Sequence, residues 1–163
     1  KNDPPEPRIK HLAQLYESGL HQKMIDATPQ LLETFPESAL VHNMMGTASL
    51  ALRQYDLGRK SYEITIALDP DYVLAHVNLG VTLSLKGHFN EAITYYQAGL
   101  KIDPNDIKSM IYTGNALPSK GQYDAANENY SKAIALAPNC AEAHNNLGNA
   151  SENQRNLQAA VKS

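Results

Sequence analysis

Three histidines recur at equivalent positions and are the side chains with the clearest potential for metal chemistry. His42, His76 and His144 fall in one column of a 34-residue period, and Met110 holds the remaining place. Ligands of one metal ion lie about 2 Å from it, whereas equivalent positions on successive helix pairs are about 8–10 Å apart. We therefore predict that these histidines are packing residues, and we expect neither a metal site nor a cofactor.

Asparagine is the second candidate for chemistry, because the later segments are rich in it. Its side chain carries a donor and an acceptor, so a row of asparagines can hold a peptide backbone whatever the side chains of that peptide are. Asparagines can equally face solvent or bond to neighbouring turns. The sequence leaves both interpretations open.

Charge and motifs argue against several classes of function. The formal net charge is −3, so the chain lacks the basic field that drives binding to nucleic acids. Phosphate-binding loops, dinucleotide fingerprints, metal-type cysteine spacings and nucleophile elbows are all missing from the sequence. We expect a protein that is not an enzyme and has no catalytic residues.

The lengths of the apolar runs and the number of cysteines indicate the compartment in which the protein is expected. The apolar runs are shorter than the roughly 20 residues that a membrane-spanning helix needs, so no membrane insertion is expected. Cys140 is the only cysteine, which excludes an internal disulfide framework and is typical of a reducing compartment. A cytoplasmic location follows as the expectation.

The elements that position these side chains are set by the 34-residue period, which is typical of stacked helix–turn–helix units. Glycine inside a helix costs about 1 kcal/mol relative to alanine, so a repeated mid-helix glycine implies close approach of a partner helix. The period is marked by prolines at Pro36, Pro70, Pro104 and Pro138, glycines at Gly46, Gly80, Gly114 and Gly148, small residues at Gly58, Ala92, Ala126 and Ala160, and bulky columns at Tyr55, Phe89, Tyr123 and Leu157 and at Tyr62, Tyr96 and Tyr130.

Two strings carry a family resemblance: AHVNLG at Ala75–Gly80 and EAITYY at Glu91–Tyr96. They resemble the tetratricopeptide repeat family, which implies an all-α fold, a right-handed α-solenoid of helix–turn–helix repeats. The family often has tryptophan in the histidine column, and Arg53 and Arg155 stand in place of its turn glycine. On this alignment the chain is one array: linker 1–7, degenerate repeat 1 at 8–38, repeat 2 at 39–72, repeat 3 at 73–106, repeat 4 at 107–140 and truncated repeat 5 at 141–163.

Two prolines interrupt this pattern. Pro29 falls inside the second helix of the degenerate repeat, where a missing backbone donor should kink or split the helix. Pro118 lies late in the first helix of repeat 4 and leaves the Gly114 carbonyl without its usual partner. We expect a kink there, or an early end to that helix.

The resemblance also implies a function, since first helices in this family line a concave groove that grips peptides. We expect a protein–protein interaction scaffold that binds a peptide or protein segment. A carboxylate clamp for chaperone tails is not expected, because only Asn78 and Lys108 match its five positions. The groove residues implied by the columns are Asn43, Val77, Asn78, Val81, Lys108, Ile111, Tyr112, Asn115, Asn145, Asn146 and Asn149.

Two alternatives remain open. The chain stops soon after its last second helix is expected to begin and lacks a polar cap, so we interpret it as a fragment. It would then resemble the N-terminal arm of a larger glycosyl- or sulfotransferase, which presents protein substrates. Self-association through the uncapped C-terminal end is the other alternative, and its apolar strip is Leu147, Leu157, Ala160 and Val161.

Overall fold

The regular structure of the described residues is helical. The computed structural model describes residues 3–162, with all side chains in that range except those at 120, 161 and 162. Among these residues, every helix falls short of the combination of length and hydrophobicity that a bilayer-spanning segment requires. The helices are α1 (Glu6–Glu17), α2 (His21–Thr34), α3 (Ala39–Ala51), α4 (Tyr55–Leu68), α5 (Val73–Leu85), α6 (Phe89–Ile102), α7 (Ile107–Ala116), a 3-10 helix (Leu117–Lys120), α8 (Tyr123–Leu136) and α9 (Ala141–Lys162).

Two compact units divide the chain within α5, and they span Lys1–Thr82 and Leu83–Ser163. In the first unit α2 packs against α1 and α3, and α3 packs against α4. In the second unit α7 packs against α6 and α8, and α8 packs against α9. Within each unit, these helices that follow one another in sequence also pack against one another, as the 34-residue period predicts.

The degenerate first repeat packs with large residues where the later repeats use small ones. Leu12 stands at its glycine position and Met24 opposite, and both are almost fully buried in one cluster with Val41 and Ala48. Helix α1 begins at Glu6, so Pro7, which the sequence interpretation placed in the linker, lies in the first turn of the helix. Proline is tolerated there because first-turn N–H groups have no intrahelical partner.

In the later repeats the glycine column makes room for tyrosine rings. A Cβ atom added to Gly46 would lie 2.6 Å from Cε1 of Tyr62, and one added to Gly114 would lie 2.5 Å from Cε1 of Tyr130. The small residue opposite is also where the sequence predicted it, because a Cβ atom on Gly58 would lie 3.4 Å from the Gly46 carbonyl oxygen. A tyrosine ring of the next helix therefore packs directly on Gly46 and on Gly114.

Pro29 does not split its helix. Helix α2 runs unbroken from His21 to Thr34 with Pro29 inside it. The Pro29 ring removes the N–H group that would bond to the Ile25 carbonyl. The hydroxyl of the buried Thr28 donates to that carbonyl at 2.7 Å and to the Met24 carbonyl at 3.0 Å. A side-chain donor therefore replaces the missing backbone donor.

Pro118 ends its helix early, as predicted. Helix α7 has 10 residues, whereas α3 and α5 have 13 each, and the chain continues as the 3-10 helix Leu117–Lys120. The Ser119 hydroxyl donates to the Ala116 carbonyl at 2.6 Å. The groove-side helix of this repeat is therefore shortened by about one turn.

Helix α9 differs from the sequence expectation. A turn was expected at Arg155, with Leu157 beginning a new helix, yet α9 continues unbroken from Ala141 to Lys162. Arg53, at the equivalent position of repeat 2, does form the turn, with a φ angle of 58°. Non-glycine residues adopt this left-handed conformation only when packing compels them. Arginine alone therefore does not specify the turn.

Alkaline pH is expected to unfold the protein because three buried tyrosines must stay protonated. Burial is the main cause that raises the pKa of Tyr62, Tyr96 and Tyr130 to about 12. The same groups titrate near about 10 in an unfolded chain. Their contribution to stability is therefore fully present below about pH 10 and is lost as the pH rises towards about 12.

Thermal melts followed by circular dichroism at a series of pH values measure this loss. We expect the melting temperature to fall steeply above about pH 10, and to fall less steeply in Tyr130→Phe, which removes one of the three groups. The control is Tyr16→Phe, since Tyr16 is exposed. A melting temperature that stays level up to about pH 11.5 would contradict the prediction.

Candidate functional site

The histidine column has a structural role. In three repeats the histidine Nε2–H group donates to the carbonyl of the proline six residues earlier, which fixes the entry of the chain into the helix. The pairs are His42 with Pro36 at 3.2 Å, His76 with Pro70 at 2.8 Å and His144 with Pro138 at 2.8 Å. Between residues 3 and 162, no three His, Cys, Asp or Glu side chains whose positions are described lie close enough to hold a metal ion.

The three expected groove columns differ in exposure. One step along a helix rotates a side chain by about 100°, so adjacent columns face different surroundings. The column of Asn43, Val77 and Ile111 is buried, and only its last member, Asn145, is exposed. The next column, which contains Asn78, Tyr112 and Asn146, is half-buried throughout, and the third ends in the exposed Asn115 and Asn149.

The burial of the first column corrects part of the predicted groove. Asn43 is 7% exposed, Val77 1% and Ile111 3%, so these side chains support the helix pairs and do not form an accessible floor. The Oδ1 atom of Asn43 is buried without a hydrogen-bond partner among the described residues. The first unit therefore retains only Asn78 and Val81 as partly accessible members of the predicted site.

In the second unit the asparagines meet in a polar cleft of about 370 Å³. Helix α7 contributes Asn115, and α9 contributes Glu142, Asn146, Asn149 and Asn153. Pro118, Tyr130 and Ala150 complete the lining. Three predicted residues, Asn115, Asn146 and Asn149, are therefore brought together in one site, which we call the polar cleft.

Hydrogen bonds fix the orientation of the central amide. The Oδ1 atom of Asn115 accepts from the Tyr130 hydroxyl at 2.8 Å and from Nδ2 of Asn146 at 2.9 Å. Both lone pairs of that oxygen are therefore used, and the NH₂ group of Asn115 is directed away from these two donors. Asn146 in turn uses its NH₂ group, so its Oδ1 atom is directed away from Asn115. The cleft thus presents a donor beside an acceptor.

The electrostatics of the cleft are set by one carboxylate. Glu142 lies in the first turn of α9 and is the one charged residue among the described side chains of the lining. Burial, followed by the charges of Glu142 and Asp106, raises the pKa of Tyr112. The Tyr112 ring also packs against Tyr96, with 5.8 Å between ring centroids. Tyr112 does not line the polar cleft, but it is held against Tyr96 and lies within reach of the Glu142 charge.

The remaining predicted residues lie outside the polar cleft. Lys108 and Asn145 are exposed on α7 and α9, respectively, and neither lines it. Of the expected self-association strip, Leu147 is partly buried, whereas Leu157 and Ala160 are exposed. The side chain of Val161 lies outside the described residues.

Sequence reasoning missed Glu142, Asn153 and the hydroxyl of Tyr130. The spacing of residues 142, 146, 149 and 153 places all four on one face of a helix. Helical spacing could therefore have identified Glu142 and Asn153 as neighbours of Asn146 and Asn149. The groove columns of this repeat contain only Asn145, Asn146 and Asn149, so they include neither Glu142 nor Asn153. Tyr130 was predicted as packing alone, yet its hydroxyl orients Asn115.

A larger cleft of about 700 Å³ lies elsewhere in the second unit. Leu100, Leu117 and Leu157 contribute to its lining, together with Gln154. The amide of Gln154 donates to Oδ1 of Asp124 at 2.7 Å and accepts from Asn127 at 3.3 Å. Because these polar groups already satisfy one another, this cleft is a weaker candidate than the polar cleft.

Comparison with protein families identifies two repeats. Residues 73–106 match the tetratricopeptide repeat, and residues 114–154 match the TPR repeat. The anaphase-promoting complex subunit CDC16 of Saccharomyces cerevisiae is 30% identical over 80 residues, which are 49% of this chain and 10% of that protein. The match therefore covers only about a tenth of the length of that curated relative.

Solved structures of low sequence identity share the fold. A crystal structure of MamA has a TM-score of 0.80 at 21% identity and covers 91% of this chain and 87% of its own. YrrB, described as a TPR protein with an unusual peptide-binding site, has a TM-score of 0.76 at 18% identity. The match covers 98% of this chain and 82% of the YrrB chain. The first TPR of Spaghetti (RPAP3), bound to an HSP90 peptide, has a TM-score of 0.68 at 22% identity. The match covers 77% of this chain and 94% of the RPAP3 chain.

The matched residues are helical in the structure: α5 and α6 fall within residues 73–106, and α8 falls within residues 114–154. The all-α architecture and the structural neighbours agree with them. The chain therefore carries tetratricopeptide repeats at residues 73–106 and 114–154.

Proposed function

We propose that this chain is a non-catalytic binding module whose polar cleft holds an extended peptide segment of a partner protein. The observation that carries the proposal is the orientation of Asn115, whose oxygen is held by Tyr130 and Asn146. Its NH₂ group and the Oδ1 atom of Asn146 then face a ligand as a fixed donor and acceptor. One peptide unit offers the complementary carbonyl and N–H group.

Asn149 and Asn153 extend this polar surface along α9. Neither side chain makes a hydrogen bond within the described residues, and both are exposed. Their amide groups are therefore available to further peptide units. Tyr112 offers an aromatic surface nearby, and aromatic side chains are frequent anchors in protein interfaces.

Related structures support a peptide as the ligand. The RPAP3 repeat domain is described with an HSP90 peptide, and YrrB with a peptide-binding site. The HSP90 peptide, SRMEEVD, is acidic towards its end. The polar cleft carries Glu142 as the one charge among its described side chains, so a carboxylate clamp of the kind that suits acidic tails is not part of the proposal.

The test is binding to an array of unrelated 15-residue peptides, followed by fluorescence anisotropy on the peptides that bind. In the double variant Asn149→Ala/Asn153→Ala we expect affinity to fall by about 5- to 150-fold, since each lost hydrogen bond contributes about 0.5–1.5 kcal/mol. The fold should be unaffected because these side chains make no hydrogen bond within the described part of the chain.

The matched control is Asn90→Ala/Asn156→Ala, which changes two exposed helical asparagines outside the polar cleft. It should bind peptides as the unaltered chain does. Equal affinities of the two double variants, or an array on which no peptide binds, would overturn the proposal. Presentation of a bound segment to an attached catalytic domain would use the same surface and predicts the same result.

A further inference from the structure

We infer that the polar cleft selects peptide segments that carry a lysine or arginine side chain, with Glu142 as the group that receives the cation. This inference rests on the proposed function and names the chemistry that the cleft recognises. Three observations carry it: the balance of free donors and acceptors in the cleft, the unneutralised charge of Glu142, and the neutral character of the rest of the lining.

At one end of the polar cleft, the free hydrogen-bond acceptors outnumber the free donors. The amide oxygen of Asn115 is saturated by Tyr130 and Asn146. The amide oxygen of Asn146 is left free because its NH₂ group is the one that bonds to Asn115. Glu142 stands one helical turn before Asn146 on the same face of α9, and its carboxylate has only acceptors. This end therefore favours a donor-rich group.

The charge of Glu142 is not neutralised by the protein. Within the described residues it forms no ion pair, whereas Glu128 on α8 is paired with Lys132 at 2.7 Å. Its effect reaches the wall of the cleft: burial, followed by the Glu142 charge, raises the pKa of Tyr130. A second carboxylate, that of Asp106, acts together with Glu142 on Tyr112. The potential at this end is therefore negative.

The ligand groups that fit this arrangement are cations with several donors. A lysine ammonium offers three N–H donors and an arginine guanidinium five. Either can bond to the Glu142 carboxylate and to one lone pair of the Asn146 oxygen, whose other lone pair stays available to the N–H group of a peptide unit. The peptide backbone then continues along the asparagines of α9. A glutamate or aspartate side chain at the same position meets like charge and free acceptors, so it is disfavoured.

The experiment separates the cation from the rest of a peptide. N-acetyl-arginine methylamide and its neutral, nearly isosteric counterpart N-acetyl-citrulline methylamide are titrated into the ¹⁵N-labelled chain, and the side-chain amide resonances of Asn115, Asn146 and Asn149 are followed by NMR. We expect the arginine probe to bind more tightly. In Glu142→Gln its affinity should fall by about two- to fivefold, the usual contribution of an exposed ion pair, and citrulline binding should not change.

Glu152→Gln is the control, because it makes the same change of charge at an exposed position of α9 outside the polar cleft. Equal binding of the two probes, or equal effects of the two glutamine variants, would overturn the inference. Array peptides that bind with no preference for lysine or arginine would overturn it while leaving the proposed function intact. An arginine response without any peptide binding would overturn the proposed function instead.

Discussion

Alanine at Gly114 or Gly46 is expected to destabilise the protein by about 2 kcal/mol, whereas the same change at Gly148 is expected to stabilise it by about 1 kcal/mol. The three glycines stand at the same position of repeats 2, 4 and 5. A propensity argument alone would predict the same gain at all three. The structure predicts a loss of stability instead of a gain at Gly46 and Gly114.

The reason is the tyrosine ring of the following helix. A Cβ atom at Gly114 would lie 2.5 Å from the Tyr130 ring, and one at Gly46 would lie 2.6 Å from the Tyr62 ring. These rings are 2% and 0% exposed, so they cannot swing aside. Overpacking of this kind costs up to about 3 kcal/mol, and the better helix propensity of alanine offsets about 1 kcal/mol of it.

Gly148 provides the internal control. A Cβ atom there would meet no described atom within 4 Å, so only the helix propensity changes. Thermal denaturation measures the contrast: for a chain of this size we expect the melting temperature to fall by about 4–8 °C in Gly114→Ala and to rise by about 2–4 °C in Gly148→Ala. A melting temperature that moves in the same direction in both variants would show that the ring does not set the need for glycine.

The contrast between these glycines also shows how far sequence reasoning reaches. The 34-residue period predicted the helix pairs, the mid-helix glycines and the small residue opposite Gly46, because each is a local pattern repeated along the chain. It did not predict that the tyrosine column covers the glycines. That contact depends on the side-chain rotamer and on the distance between helices, neither of which is encoded in spacing.

The candidate site was predicted in part for a similar reason. The columns identified Asn115, Asn146 and Asn149, which do meet in the polar cleft. They also included Val77 and Ile111, which are buried, because a column specifies a position on a helix and not which neighbour covers it. Glu142 was not predicted because it lies outside the three columns. Whether a carboxylate such as Glu142 is paired or available to a ligand depends on the groups around it, and the sequence alone does not show these.

Pro29 shows a third limit of sequence reasoning, since it was expected to kink or split α2 and the helix is not split. The Thr28 hydroxyl donates to the Ile25 carbonyl, which the proline leaves without a backbone donor. Thr28 is fully buried and Ile25 is 8% exposed, so water has little access to this hydrogen bond. The presence of a threonine before a proline does not by itself predict this hydrogen bond. The bond depends on the hydroxyl pointing back along the helix.

Thr28→Val tests this repair directly. Valine keeps the shape and the branching of threonine and removes only the donor, so the buried Ile25 carbonyl is left unsatisfied. We expect a loss of about 1–3 kcal/mol in the free energy of unfolding, measured by urea denaturation. Thr28→Ser is the control, because serine retains the hydroxyl and should preserve most of the hydrogen bond.

The Pro29→Ala background decides whether the bond compensates for the proline. Alanine restores the N–H group at residue 29, which can then bond to the Ile25 carbonyl itself. Thr28→Val should consequently cost less in Pro29→Ala than in the unaltered chain, with a coupling free energy of about 1–2 kcal/mol between the two positions. If the two changes are additive, the Thr28 hydroxyl stabilises α2 in some way that is independent of Pro29. Coupling would mean that proline is tolerated inside this helix because the residue before it supplies the missing donor.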